Sequence, residues 1–206
     1  MQRFLLFTAI VLLACLLIWL LVIWQPADDI GNEANNERLA AQPQGGDFSL
    51  LSHQGVVSLS DFRGKVVLLY FGYTWCPDIC PTNLAMMSAA MTEMGSDGLT
   101  EVQPIFISVD PDRDTPQRLK EYVEYFHPNL VGVTGSAEDI EAITKRYGAA
   151  YRAVRKASET QYTVDHSADT YIIDRQGKLV KKMPHGSTVE ELIAAIRPLL
   201  QENLSR

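Results

Sequence analysis

Cysteine is scarce in this chain. The 206 residues hold three, Cys15, Cys76 and Cys80, beside four histidines. Cys15 falls in an apolar N-terminal run, so everything downstream shares two thiols. A closed zinc site or an iron–sulfur cluster takes four protein ligands, and two cysteines do not supply one. Basic residues never gather into a block interleaved with aromatics, which excludes nucleic acid as a partner. No stretch repeats internally. Two of the 18 basic and four of the 25 acidic side chains precede residue 41, which leaves a net charge of −5 on the remainder. Proline is missing between Pro128 and Pro184.

Charge is also missing from Phe4 to Trp24, FLLFTAIVLLACLLIWLLVIW. As a helix that run spans a hydrocarbon core of ~30 Å. It has no small-residue cleavage site, so the expectation is an uncleaved single-pass anchor over 1–24, with Cys15 as one of its apolar residues. Arg3 precedes the run and Asp28, Asp29 and Glu33 follow it. That asymmetry puts the N-terminus in the cytoplasm and the domain outside. Without a transit peptide ahead of the anchor, a bacterial cell membrane with a periplasmic domain is the expected location. Residues 25–46 are polar and small and read as a flexible tether. Residues 47–206 are enough to bury a sizeable core as one domain.

In that domain, Phe48–Leu51 and Val56–Leu59 flank a polar turn as a hairpin. Lys65–Phe71 is a near-continuous apolar run, as in a strand covered on both faces. Pro81–Met94 follows as a helix, then a second buried strand over Val102–Val109. Thr115-Pro116 caps and starts a helix to about Phe126, and Ser136 caps another that stops near Gly148. Asp169–Ile173 and Lys178–Met183 form a hairpin around Asp174–Gly177. Thr188-Val189-Glu190-Glu191 is a capping box that opens the last helix, to about Asn203. A parallel β-α-β unit followed by an antiparallel hairpin and a helix resembles the thioredoxin-like α/β arrangement, here with an N-terminal β-hairpin.

Cys76 and Cys80 sit where the first buried strand hands over to a helix, in Gly72-Tyr73-Thr74-Trp75-Cys76-Pro77-Asp78-Ile79-Cys80-Pro81. Cys80 precedes proline and reads as the helix cap, with Pro81 as the first helical residue. A helix N-terminus favours thiolate at both positions. The spacing Cys-x-x-x-Cys is one residue wider than the usual redox motif. It still closes a disulfide, and it leaves room for a soft ion. Cu(I) accepts two thiolates and one further ligand. His53, His127 and His185 read as surface histidines in turns or at helix ends. His166 lies just before the strand that begins near Asp169, in the loop that packs against the cysteines in this kind of fold. Redox relatives of the fold place a cis-proline there, and this chain has none. Asp78 reads as a turn cap or a solvated acid, and Met86 and Met87 as packing residues.

The combined pattern resembles the Sco/SenC family of copper chaperones. It is carried by Gly72–Pro81, by Ile107-Ser108-Val109-Asp110-Pro111-Asp112-Arg113-Asp114-Thr115-Pro116, and by Val164-Asp165-His166-Ser167. Serine stands at 167 where many relatives have threonine. The resemblance implies Cu(I) or Cu(II) held by Cys76, Cys80 and His166. It implies work on the CuA centre of cytochrome c oxidase subunit II, with a periplasmic copper donor or thiol reductant as a further partner. Asp110 matches a family acid near the metal, and the alternative for it is a turn-forming Asp-Pro. On this reading the protein is a metallochaperone rather than an enzyme. The alternative is a tethered thiol–disulfide reductase that uses a Cys76–Cys80 disulfide to keep the target's cysteines reduced. A third reading, a thiol peroxidase, needs a Thr and an Arg beside the reactive sulfur, for which only Thr74 was at hand.

Overall fold

The computed structural model describes residues 12, 13, 15–19, 43–158 and 161–201. Two units are distinguished, Met1–Ala41 and Gln42–Arg206. In the first, residues 12, 13 and 15–19 are helical and exposed. No helix among the described residues is long and apolar enough to cross a membrane. Most of the expected anchor at Phe4–Trp24, and the tether up to residue 42, lie outside the described residues. The end of that tether is tied into the second unit: the backbone N–H groups of Gln44 and Gly45 both donate to the Arg146 carbonyl.

The second unit is built on five strands. They are β3 (Val66–Gly72), β4 (Val102–Ser108), β5 (Val131–Val133), β8 (Thr170–Ile173) and β9 (Leu179–Met183), ordered β5-β4-β3-β8-β9. β3 pairs parallel with β4 and antiparallel with β8. Every residue of β3 and β4 is buried, as expected of strands covered on both faces. Alternate residues of β3 feed different aromatic clusters. Tyr70 stacks on Phe106 and Phe106 meets Tyr122 at a tilt, while Phe71 meets Tyr147 and Tyr171. The period of two along a strand sends these sets to opposite faces.

A hairpin of β1 (Ser49–Ser52) and β2 (Gly55–Ser58) precedes the sheet. The helices are α1 (Ile79–Glu93), α2 (Ser96–Glu101), α3 (Pro116–Glu124), α4 (Ala137–Tyr147) and α5 (Val189–Gln201). Thr115, Ser136 and Thr188 cap α3, α4 and α5 through their hydroxyls. α4 ends at Gly148 in the left-handed region, where a side chain would be strained.

Three features differ from the sequence expectation. α1 begins at Ile79, two residues earlier than Pro81. Proline is tolerated inside the first turn because the N–H it lacks has no intrahelical partner there. The short strand β5 and helix α2 had no periodicity long enough to register. The third is a separate hairpin, β6 (Tyr151–Ser158) with β7 (Gln161–His166), paired antiparallel. Its strands pair with each other rather than with the main sheet. The hairpin was not read from the sequence because its strands stand outside the central sheet, whose continuous apolar runs are what mark β3 and β4.

Candidate metal centre

The site forms where β3 ends. The turn after it is closed by the Cys76 N–H donating to the Tyr73 carbonyl at 3.2 Å. Asp114, with no exposed surface, pins this turn from the loop after β4. Its carboxylate accepts from the Thr74 N–H at 2.9 Å, the Thr74 hydroxyl at 2.6 Å and the Ser108 hydroxyl at 2.7 Å. α1 then begins, and the Cys80 N–H points at Cys76 Sγ, 3.4 Å away. Gly72 makes room for the second sulfur. A Cβ there would stand 2.6 Å from Cys80 Sγ and 2.8 Å from the Phe106 ring.

His166 arrives on the last residue of β7. Its Nε2 is 3.3 Å from Cys80 Sγ, and its Nδ1 is 2.9 Å from the Ser167 carbonyl oxygen. A carbonyl only accepts, so Nδ1 carries the proton and Nε2 presents its lone pair to the sulfurs. The rings of Tyr73 and Tyr70 meet the imidazole edge-on at centroid distances of 5.7 and 6.2 Å. The ligand atoms of Cys76, Cys80 and His166 all lie within 4.8 Å of one another. Both sulfurs are free thiols and buried, and His166 is half-buried.

The two thiols are electrostatically unequal. The Cys76 thiol is pushed down to about 3, chiefly by the hydrogen bond from Cys80, with burial opposing it. The Cys80 thiol is pushed well above its ordinary value by burial, and by the hydrogen bond to and negative charge of Cys76. The pair therefore holds one negative charge at neutral pH, centred on the outer sulfur. Binding a metal through both sulfurs releases the remaining proton.

The other residues singled out from sequence fall outside this trio. Asp110 is 3% exposed, and its carboxylate accepts from Arg113 Nε and the Tyr162 hydroxyl, each at 2.5 Å. It also serves as a turn former, its carbonyl accepting from the Arg113 and Asp114 N–H groups. Asp78 is the exposed residue before α1, with no side-chain capping bond. Met86 and Met87 pack in or against the core. His53 is exposed in the β1–β2 turn. His127 is not a surface residue: it is 6% exposed, its Nδ1 accepts from the Asn129 N–H, and burial pushes its pKa down. A histidine that closes a turn beside proline is covered by whatever packs over the turn, which sequence spacing does not register. His185 is exposed, with Nδ1 2.8 Å from Asn83 Nδ2.

Sequence reasoning missed Asp114, Arg113 and Tyr162. The first two lay inside the quoted Ile107–Pro116 motif, so a signal existed, but their partners are distant in the chain. Thr74 has an arginine beside it, Arg118, whose Nε donates to Thr74 Oγ1 at 2.6 Å. The Thr74 hydroxyl hydrogen is already committed to Asp114. That leaves it none to offer a sulfur, and the thiol peroxidase reading loses its support.

A family profile described as SCO1/SenC matches residues 36–201. The chain is 43% identical over 162 residues to the mitochondrial SCO2 homolog of Bos taurus, covering 78% of this chain and 60% of that protein. The chain thus spans well under two thirds of that relative's length. A solved structure of Bradyrhizobium japonicum ScoI with copper bound is 39% identical, with a TM-score of 0.70, over 76% of this chain and 99% of that one. The structure of BsSco, described by a disulfide switch and as a member of the Sco family of cytochrome c oxidase assembly proteins, is 26% identical. It has a TM-score of 0.61 over 77% of this chain and 94% of that one.

Proposed function

The chain belongs to the SCO1/SenC family, and on that premise we propose that it is a copper metallochaperone that binds one ion through Cys76, Cys80 and His166. The observation that carries this reading is the convergence of two sulfurs and one tautomer-fixed imidazole nitrogen within 4.8 Å. Two thiolates suit Cu(I), and an imidazole makes the site hospitable to Cu(II) as well. Copper bound to Bradyrhizobium japonicum ScoI supports the choice of metal. The copper is cargo, delivered during assembly of cytochrome c oxidase, and its destination on this reading is the CuA centre of subunit II. A periplasmic donor or reductant loads the protein. The charge-free run Phe4–Trp24 supports a single-pass anchor that holds the domain at the outer face of a bacterial cell membrane.

A second reading has its own observation. A low thiol on Cys76 beside a buried, protonated Cys80 is the asymmetry that thiol–disulfide exchange uses, and BsSco is described by a disulfide switch. A reductase that keeps the target's copper-site cysteines reduced would need the dithiol and not the histidine.

His166→Ala and Cys76→Ser, compared in cells that respire through a CuA oxidase at limiting copper, separate the two. Delivery of copper predicts that both variants lose oxidase activity and that added copper partly restores His166→Ala. Normal oxidase assembly in a stably expressed His166→Ala strain would transfer the role to thiol reduction.

A further inference from the structure

The β6–β7 hairpin carries His166 but pairs with no strand of the main sheet, so something else must hold the imidazole over the cysteines. Tyr162 is four residues before His166 on β7. Alternation along a strand puts Tyr162, Val164 and His166 on one face, and Val164 is buried there. At the far end of that face Tyr162 meets the loop after β4. Its hydroxyl donates to Asp110 Oδ1 at 2.5 Å. Its carbonyl accepts from Arg113 Nη1 at 2.9 Å, and its ring lies under the Arg113 guanidinium at 3.6 Å. Arg113 closes the ring of contacts by donating from Nε to the other oxygen of Asp110. The same guanidinium stands 5.7 Å from the Tyr73 ring, which itself edges His166. Asp110 and Arg113 are little exposed, at 3% and 16% for their side chains, so these bonds are not screened as surface pairs are.

We propose that Tyr162, clasped by Asp110 and Arg113, is a positioning residue for His166: the clasp fastens the hairpin to the domain and so decides whether copper has two ligands or three. This rests on the metal-binding reading above. With the clasp shut, Nε2 is delivered to the sulfurs. With it open, the hairpin carries the imidazole away and leaves the dithiolate. The two copper oxidation states respond differently. Cu(I) is soft and is satisfied by two thiolates, whereas Cu(II) draws on the imidazole. The clasp is therefore a control on Cu(II) retention rather than on Cu(I) binding.

The test uses wild type, Tyr162→Phe, His166→Ala and the double variant. Tyr162→Phe keeps the ring under Arg113 and removes one hydrogen bond to a charged group, a change worth roughly tenfold in an equilibrium. Tyr162→Phe is expected to release Cu(II) to a chelator roughly five- to tenfold faster than wild type, with its Cu(I) affinity within about twofold. In the His166→Ala background the same substitution is expected to change Cu(II) release by less than about twofold, because a residue that acts only through His166 has nothing left to act on. Metal-free protein supplies an independent readout: amide hydrogen exchange across 162–166 speeds up in Tyr162→Phe. Wild-type Cu(II) release from Tyr162→Phe, or an equal effect in both backgrounds, overturns the proposal. Should wild type take up no copper, the metal reading fails separately, and unchanged exchange across the hairpin in Tyr162→Phe still overturns the clasp.

Discussion

The Nε2 of His166 stands 3.3 Å from the sulfur of Cys80 although 86 positions separate the two residues in the chain. Neither brings the other into place directly. Cys80 is fixed by the first turn of α1 and by the space left at Gly72, and His166 by a hairpin fastened to the loop after β4. A bond that depends on three separate elements reports on all of them, and most of the expectations below act on one element at a time.

Copper and a Cys76–Cys80 disulfide are mutually exclusive, because both consume the same two sulfurs and the metal needs them reduced. Oxidised protein is expected to take up copper only after reduction, and Cu(I) is expected to protect the pair from a disulfide reagent. Copper titration of the two redox forms, with metal analysis, checks this. Equal uptake by both would dissolve the shared site.

Gly72→Ala puts a methyl group where Cys80 Sγ and the Phe106 ring already are. Overpacking of this kind costs about 1–3 kcal/mol. It also moves the inner sulfur. The expected result in urea unfolding and copper titration is a less stable domain that binds less than one equivalent. Wild-type values in both would mean the sulfur has room to shift.

Removing the Asp114 carboxylate strands the Thr74 N–H and the Thr74 and Ser108 hydroxyls together and takes the charge partner from the half-exposed Arg118. Asp114→Ala is expected to lose roughly 3–5 kcal/mol of unfolding free energy, as for a buried charged partner taken away. Arg118→Gln is expected to lose less than about 1 kcal/mol, since its side chain is 42% exposed. Denaturation curves decide it; equal losses for the two variants would contradict the central place given to Asp114.

The acidity of Cys76 predicts one thiolate per metal-free domain well below the pH at which a free cysteine ionises. Thiolate ultraviolet absorption should be flat at one equivalent from about pH 5 to pH 8, the range below an ordinary thiol value. The sign is that of a group whose folded value lies under its unfolded one: charge persists as pH falls, until about 3. Cys80→Ala removes the largest cause, the hydrogen bond from the Cys80 thiol, so thiolate should then be lost progressively on acidification. A titration of wild type centred near a free thiol's value would refute the assignment.

Much of the site was legible in the residues. Strand β3 could be read from the six consecutive apolar residues Val66–Phe71, and the cysteine loop from its place after them, because a strand buried on both faces leaves no polar alternation to confuse the pattern. The caps at Thr115, Ser136 and Thr188 were legible because capping is local chemistry. His127 was misjudged because burial depends on what lies across the turn. β6 and β7 passed unseen because they pair with each other and stand outside the central sheet. Tyr162 passed unseen with them, since its partners Asp110 and Arg113 are some fifty residues back in the chain.

The sequence by itself determined the inventory: two thiols four positions apart at a strand-to-helix junction, one histidine in a segment free to approach them, and, past the apolar run that holds Cys15, no further cysteine to complete a larger cluster. It placed the cysteine turn at the strand-to-helix junction but not the helix start, which falls at Ile79 with Asp78 as the cap rather than Cys80, because proline is also accommodated inside a first turn. Only the tertiary structure decided which sulfur is acidic, which nitrogen of His166 faces the pair, and what holds the hairpin shut. The inequality of the sulfurs comes from their burial, the approach of His166 to Cys80 spans 86 positions, and the bonds at Tyr162 span 49 and 52. No spacing rule encodes such contacts, because each exists only once the β3–β4–β8 sheet has brought its loops to one rim.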